Sequence, residues 1–103
     1  RVYLNPAFQK VIPAMRRRKN AVVYRWIEEI YGIKVARIEQ RIDACSVSSA
    51  DATLLLCPVG SPALRMQRLY FAANNLLLEI SDSLHPSGRF SYHMSLLRSD
   101  FKP

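Results

Sequence analysis

From Arg37 to Ala44 the chain alternates without a break. Arg37, Glu39, Arg41 and Asp43 fall on one phase, and Ile38, Gln40, Ile42 and Ala44 on the other. A period of two belongs to an extended strand, so the spacing predicts a long strand over residues 33–46 with one charged face. The signs on that face also alternate, which suits a solvated antiparallel face with cross-strand ion pairs. Ile33 and Val35 stand out of phase with this set, so a bulge is expected near Ala36.

The pattern on either side is different. In residues 21–31, Val23, Trp26, Ile27, Ile30 and Tyr31 recur at helical spacing while Arg25, Glu28 and Glu29 face away. Asn20 is the expected N-cap of this helix and Gly32 its stop. A shorter helix is expected over residues 6–15, weakened by Pro13. Ser48-Ser49-Ala50-Asp51 has the form of a capping box with Asp in place of Glu, predicting a helix through Leu56 that ends in the turn chemistry of Pro58–Pro62. Three strands are then expected, over residues 63–72, 76–84 and 89–98. Asn74-Asn75 makes the first turn between them and His85–Gly88 the second. This succession is an α+β domain, an antiparallel sheet with helices on one face.

One such domain accounts for all 103 residues. A chain of that length buries roughly 60–70% of its unfolded surface, enough for a core without disulfides or metal. Half the residues are hydrophobic and 22% charged, which excludes a disordered chain. No apolar run reaches a membrane span and no signal peptide opens the chain, so the expectation is a cytoplasmic protein with no membrane contact. The start at Arg1 points to an excised fragment or a processed terminus.

The formal charge of +7 invites a nucleic-acid reading, but +6 of it lies in the first 20 residues. The run Arg16-Arg17-Arg18-Lys19 has no aromatics threaded through it, which favours a solvated loop or helix end. Cys45 and Cys57 are twelve apart in apolar stretches and match no zinc or redox spacing, so they read as buried, reduced thiols.

Sites of chemistry are few. The three glycines form no phosphate loop, no nucleophile elbow exists, and His85 and His93 have no metal-ligand partner spacing. A Cys57–His93 nucleophilic pair has no local support. The expectation is a non-enzyme with no cofactor and no metal. What stands out is a polar row: Glu79, Ser81 and Ser83 share one strand face, opposite Leu78, Ile80 and Leu84. Ser91, His93 and Ser95 repeat the pattern against Phe90, Tyr92, Met94 and Leu96. Such a row is either solvent-facing or the lining of a pocket whose ligand needs hydrogen bonds. Glu79, inside Leu-Leu-Leu-Glu-Ile, is the carboxylate that most needs a reason.

Taken in order, these stretches resemble one family. Val22-Val23-Tyr24 through Ile30-Tyr31-Gly32-Ile33 is followed by ARIEQRIDA and a Ser-Ser-Ala-Asp-Ala helix. Then come PVGSPALRMQRLY and LLLEISDSLHPSGRFSYHMSLLR. Over residues 20–98 this succession resembles the UTRA domain of GntR-family transcription regulators, HutC subfamily. The resemblance implies a chorismate-lyase-like fold that senses a small polar metabolite. It also implies a homodimer, and DNA contact only through a separate N-terminal winged helix-turn-helix domain. The chain then corresponds to about the C-terminal two-thirds of such an effector domain.

The family's pocket positions carry over one at a time. Tyr24 matches the tyrosine of the family's Ser-Leu-Tyr helix, and it is either a pocket residue or a packed core aromatic. The serine that helps hold phosphate in sugar-phosphate-binding members is Val22 here, which speaks against a phosphosugar. Glu79 matches the glutamate of the penultimate strand, with Ser81 beside it on the same face. His85 stands where the family often has a ligand-facing tyrosine, and keeps hydrogen-bonding capacity there. Arg68 and Arg89 match family arginines. Arg68 shares a face with Leu64, Met66 and Tyr70, so it is either ion-paired or near a ligand, and Arg89 is expected to fix the loop beside it. Phe90 and Gly88 replace the family's tyrosine and aspartate. Two other functions stay open at this point: a chorismate-lyase-type enzyme, and a ligand-free dimerisation module favoured by exposed strand edges.

Overall fold

In the computed structural model, residues 1–17 and 22–98 are described. Four strands form one antiparallel sheet in the order β1-β4-β3-β2. They are β1 (Val2–Leu4), β2 (Val35–Ser46), β3 (Pro62–Ala72) and β4 (Leu77–Pro86). A 3-10 helix (Pro6–Val11) runs into α1 (Ile12–Arg17), α2 (Val23–Tyr31) precedes β2, and α3 (Ser49–Leu55) links β2 to β3. The expected α+β class holds.

Local signals account for most boundaries. Gly32 closes α2 in the left-handed conformation at φ 69°. Ser48 caps α3, its hydroxyl accepting from the Asp51 amide. Asn75 takes φ 65° in the β3–β4 turn. The register of β2 on β3 shifts between Val35 and Arg37, where the bulge was expected. Asn20, expected to cap α2, lies outside the described residues, as do Arg18 and Lys19. The cap position is taken by Val22, which offers no side-chain bond.

Two expectations are corrected. Residues 89–98 form no strand. β4 instead pairs with β1, in the register Val2↔Ser81 and Leu4↔Glu79. Gly88 turns the chain at φ 85°, and Arg89 then donates to the backbone carbonyls of Leu55 and Leu56 at the end of α3. The alternation in 89–98 is real, but a strand needs a partner edge, and the chain leaves that edge at the turn. Second, the charges of β2 do not pair across to β3. Arg37 meets Glu39 at 3.5 Å and Arg41 meets Asp43 at 3.0 Å, both along the strand. Their cross-strand neighbours Leu69 and Gln67 carry no charge, and Arg65, opposite Asp43, is engaged by Asp82.

The main core lies between the sheet and the helices that precede β2. Phe8, Val11, Ile27, Tyr70, Ala72 and Leu78 form it. A smaller cluster of Val47, Ala52 and Ala63 sits under α3, with Leu84 and both free thiols, Cys45 and Cys57, packed partly buried against it. Residues directly opposite in an antiparallel ladder share a face. Tyr70 is therefore on the face of the main core. Ala63, Leu84 and Cys45 lie on the other face, at the far end of the strands.

Candidate functional site

The pairing register collects the polar row on the face of the main core. Along β4, Glu79, Ser81, Ser83 and His85 stand opposite Tyr70, Arg68, Met66 and Leu64 of β3. Across β3, Gln40 of β2 stands opposite Arg68. Five of the six residues singled out in the sequence, namely Tyr24, Glu79, Ser81, His85 and Arg68, therefore meet on or over one face. Arg89 does not join them; it is engaged at the C-terminal end of α3.

Glu79 is the centre of this arrangement. It is 3% exposed, and the residue before it, Leu78, is fully buried. Two consecutive strand residues ordinarily face opposite ways. Here the β3–β4 register slips between Tyr70 and Phe71, which leaves Leu78 without a partner of its own and lets both side chains be buried. Burial pushes the Glu79 carboxyl up to about 7, opposed by a hydrogen bond from the Tyr24 backbone amide. That amide belongs to the first turn of α2, whose own cap residue, Val22, supplies no side-chain acceptor. Glu79 thus does from the sheet what a capping side chain does from sequence. Its other oxygen, Oε1, is buried with no hydrogen-bond partner among the described residues. Leaving such a group unsatisfied costs roughly 1–3 kcal/mol.

The aromatic and polar neighbours are ordered by one another. Tyr24 stacks on Tyr70 at 5.3 Å between ring centroids, so it is a core aromatic whose backbone amide also serves Glu79. Arg68 Nε donates to Gln40 Oε1 at 2.6 Å, an amide partner where an ion pair was the alternative. Gln40 Nε2 in turn donates to the Tyr92 hydroxyl at 2.8 Å. The Ser83 hydroxyl donates to the Met66 carbonyl at 3.4 Å, and His85 Nε2 lies 3.0 Å from Ser83 Oγ. Phe90 stacks on His85 at 4.0 Å. The segment after β4 therefore crosses this face from β4 to β2. Gln40 and Tyr92 were not singled out in the sequence. The signal for Gln40 was present, since it is the one polar residue among Ile38, Ile42 and Ala44.

A groove lies elsewhere, on the opposite face beneath α3. It is about 630 Å³, bordered by Arg65, Asp82, Asp51, Leu54 and Leu84 among others, and of the polar row only Ser83 borders it. Its chief charged groups satisfy each other: Arg65 forks onto Asp82 through Nε (3.0 Å) and Nη2 (2.6 Å), holding that carboxyl below the usual carboxylate range. The Glu79 oxygen that lacks a partner among the described residues lies on the other face, and a buried unsatisfied group of this kind calls for an explanation. No cluster of three or more metal-ligating side chains occurs among the described residues. No helix there is long and apolar enough to cross a membrane.

The chain is similar to the crystal structure of a GntR-family transcriptional regulator from Enterococcus faecalis, at 19% identity and a TM-score of 0.79, covering 92% of this chain and 67% of that one. It is similar to a structure from Bordetella bronchiseptica described as the ligand-binding domain of a GntR-family regulator, at 22% identity and a TM-score of 0.78, covering 93% and 62%. PhnF from Mycobacterium smegmatis matches at 22% identity and a TM-score of 0.74, covering 94% of this chain but 42% of its own. At these identities the likeness is one of fold, and the chain spans between about two-fifths and two-thirds of these three structures. No curated protein matches the chain. The family model of the UTRA domain matches residues 1–91, so it takes in β1 and the first helices as well as most of the stretch whose motifs carried the resemblance, up to residue 91. The chain belongs to the UTRA domain family.

Proposed function

We propose that this chain is the effector-sensing domain of a cytoplasmic GntR-type regulator. It binds a small polar metabolite on the face that carries Glu79, self-associates, and alters DNA binding by a separate winged helix-turn-helix domain. It acts by binding and not by catalysis. The observation that carries the reading is the buried Glu79 oxygen that has no partner among the described residues, at the head of a row continued by Ser81, which stands opposite Arg68, and by Ser83 and His85. A ligand hydroxyl or amine would supply the missing donor. Tyr24 would close over it, and Arg68 and His85 would fix its far end. A ligand that binds one arrangement of the domain better than another shifts the population between them, which is all a sensor requires.

The test is thermal denaturation of the intact protein against a panel of amines, polyols and amino-acid derivatives near pH 7.5. At a hundredfold excess over Kd the expected stabilisation is about 2.7 kcal/mol. Glu79→Gln and Arg68→Ala are each expected to remove the shift. A panel with no effect, or a shift unchanged in both variants, overturns the reading.

Phe90 and Tyr92 lying across the same face favour a second reading, a ligand-free module whose own C-terminal segment fills the site. It predicts that Phe90→Ala and Tyr92→Ala destabilise the protein while no metabolite does anything. In the sensing reading the same variants open the face and strengthen binding.

A further inference from the structure

Among the described residues, β2 is a free edge of the sheet. It is twelve residues long, it pairs on one side only, and residues 36–44 are all exposed. A long uncovered edge presents a row of backbone donors and acceptors that invites another strand. Natural edges are commonly protected by charges that repel an incoming strand. The charges here are of both signs, and their order decides what can pair.

We propose that β2 pairs antiparallel with β2 of a second copy of this chain, about a two-fold axis at Gln40, extending the sheet across the dimer. Centred there, each Glu39 stands opposite the partner's Arg41, and each Arg37 opposite the partner's Asp43. Ile38, 47% exposed, then stands opposite the partner's Ile42, 37% exposed, and the two Gln40 residues meet at the axis. All four charged pairs are attractive and the exposed apolar side chains cover one another. Moving the axis by one residue toward either end sets like charges together. Centred on Glu39, the two Glu39 side chains meet and Arg37 faces the partner's Arg41. Centred on Arg41, the two arginines meet and Glu39 faces the partner's Asp43. The bulge at Val35–Arg37 ends the regular ladder just outside this seven-residue stretch. The same four charges thus act as a register key. In a single copy they are occupied along the strand, Arg37 with Glu39 and Arg41 with Asp43.

This deepens the self-association in the proposed function and rests on it. The experiment is equilibrium sedimentation of the intact protein together with Glu39→Arg, Arg41→Glu, the double variant, and an equimolar mixture of the two single variants. Each single change turns two attractive cross-copy pairs repulsive, so the dimer dissociation constant is expected to rise ~10-fold or more. The mixture restores complementarity, because one copy brings two arginines and the other two glutamates, and a heterodimer of near wild-type affinity is expected. The double variant is also expected to regain dimerisation, although it sets Arg37 beside a new arginine and Asp43 beside a new glutamate within each strand. Thermal melts at concentrations where all are monomeric separate folding from association. A wild-type protein that stays monomeric at millimolar concentration overturns both the self-association and this surface, and leaves the metabolite test untouched. A wild-type dimer indifferent to the single changes, or singles that are not rescued by mixing, overturns the β2 surface alone.

Discussion

Glu79 and Asp82 lie three residues apart on one strand, yet the protein treats them in opposite ways. Glu79 is on the face packed by the helices, it has one backbone hydrogen bond, and its carboxyl is raised to about 7. Asp82 is on the other face, where the Arg65 fork holds its carboxyl below the usual range. The difference is one of strand phase, sharpened by a bulge. One face removes water from a carboxylate without replacing it, and the other replaces water with a guanidinium. The first arrangement is expensive and leaves one carboxylate oxygen without a partner among the described residues, while the second is complete in itself.

Leu78 and Ile80 give the largest handle on this contrast. Leu78 is fully buried and belongs to the main core, whereas Ile80 is half-buried opposite Leu69 and Tyr3 on the other face. Leu78→Ala is expected to cost about 2–5 kcal/mol in chemical denaturation. Ile80→Ala should cost roughly 1–2 kcal/mol, in proportion to the smaller area it covers. Equal losses would mean that the bulge does not turn Leu78 inward as described.

Glu79 itself yields the next effect, through pH. Its folded value of about 7 lies above the ordinary 4.5, so the folded state binds the extra proton between those two values. Stability contributed by this group is therefore greatest below about pH 4.5 and declines as pH rises to about 7. At ~1.36 kcal/mol per unit, the decline amounts to about 3 kcal/mol. Glu79→Gln is expected to flatten that slope in urea titrations run from pH 4.5 to 8, and to be the more stable protein at the upper end. An unchanged slope would show that water or solvent already reaches the carboxylate. The end of the other face is held more lightly. Ser48→Ala, which removes the cap of α3, should cost about 1 kcal/mol by the same measurement.

What was legible beforehand follows the same division between local and distant causes. The β2 alternation, the Ser48 cap, the Gly32 stop and the Asn74-Asn75 turn are each decided within a few residues, and all of them form. β1 was missed because Val2-Tyr3-Leu4 is too short to show a period and is a strand only by virtue of β4 beside it. Residues 89–98 had the period, but both edges of the preceding strand β4 are taken by β3 and β1, and pairing is what makes a strand. Glu79 was conspicuous as a carboxylate among leucines. The Gln40–Tyr92 bond spans 52 residues and depends on the chain doubling back across the sheet, which no local pattern encodes. Arg68 and Arg89 both match family arginines, with Arg68 expected to be ion-paired or near a ligand and Arg89 to fix the loop beside it. Only the register and the turn at Gly88 send one to the polar face and the other to the end of α3.

Asp82 provides the smallest and most discriminating test of the comparison. Its lowered value means that its contribution is present above the ordinary carboxylate range and is lost as pH falls through the folded value, opposite in sign to that of Glu79. Arg65 is more than half exposed, so the fork works against solvent and salt. Asp82→Asn is therefore expected to destabilise the protein by less than any change above, at neutral pH only, with the difference fading at 1 M salt. Glu79→Gln, acting through desolvation, should keep its effect at the same salt concentration. Should the two respond alike to salt, the two faces would not differ in kind, and the argument that one of them waits for a ligand would lose its basis.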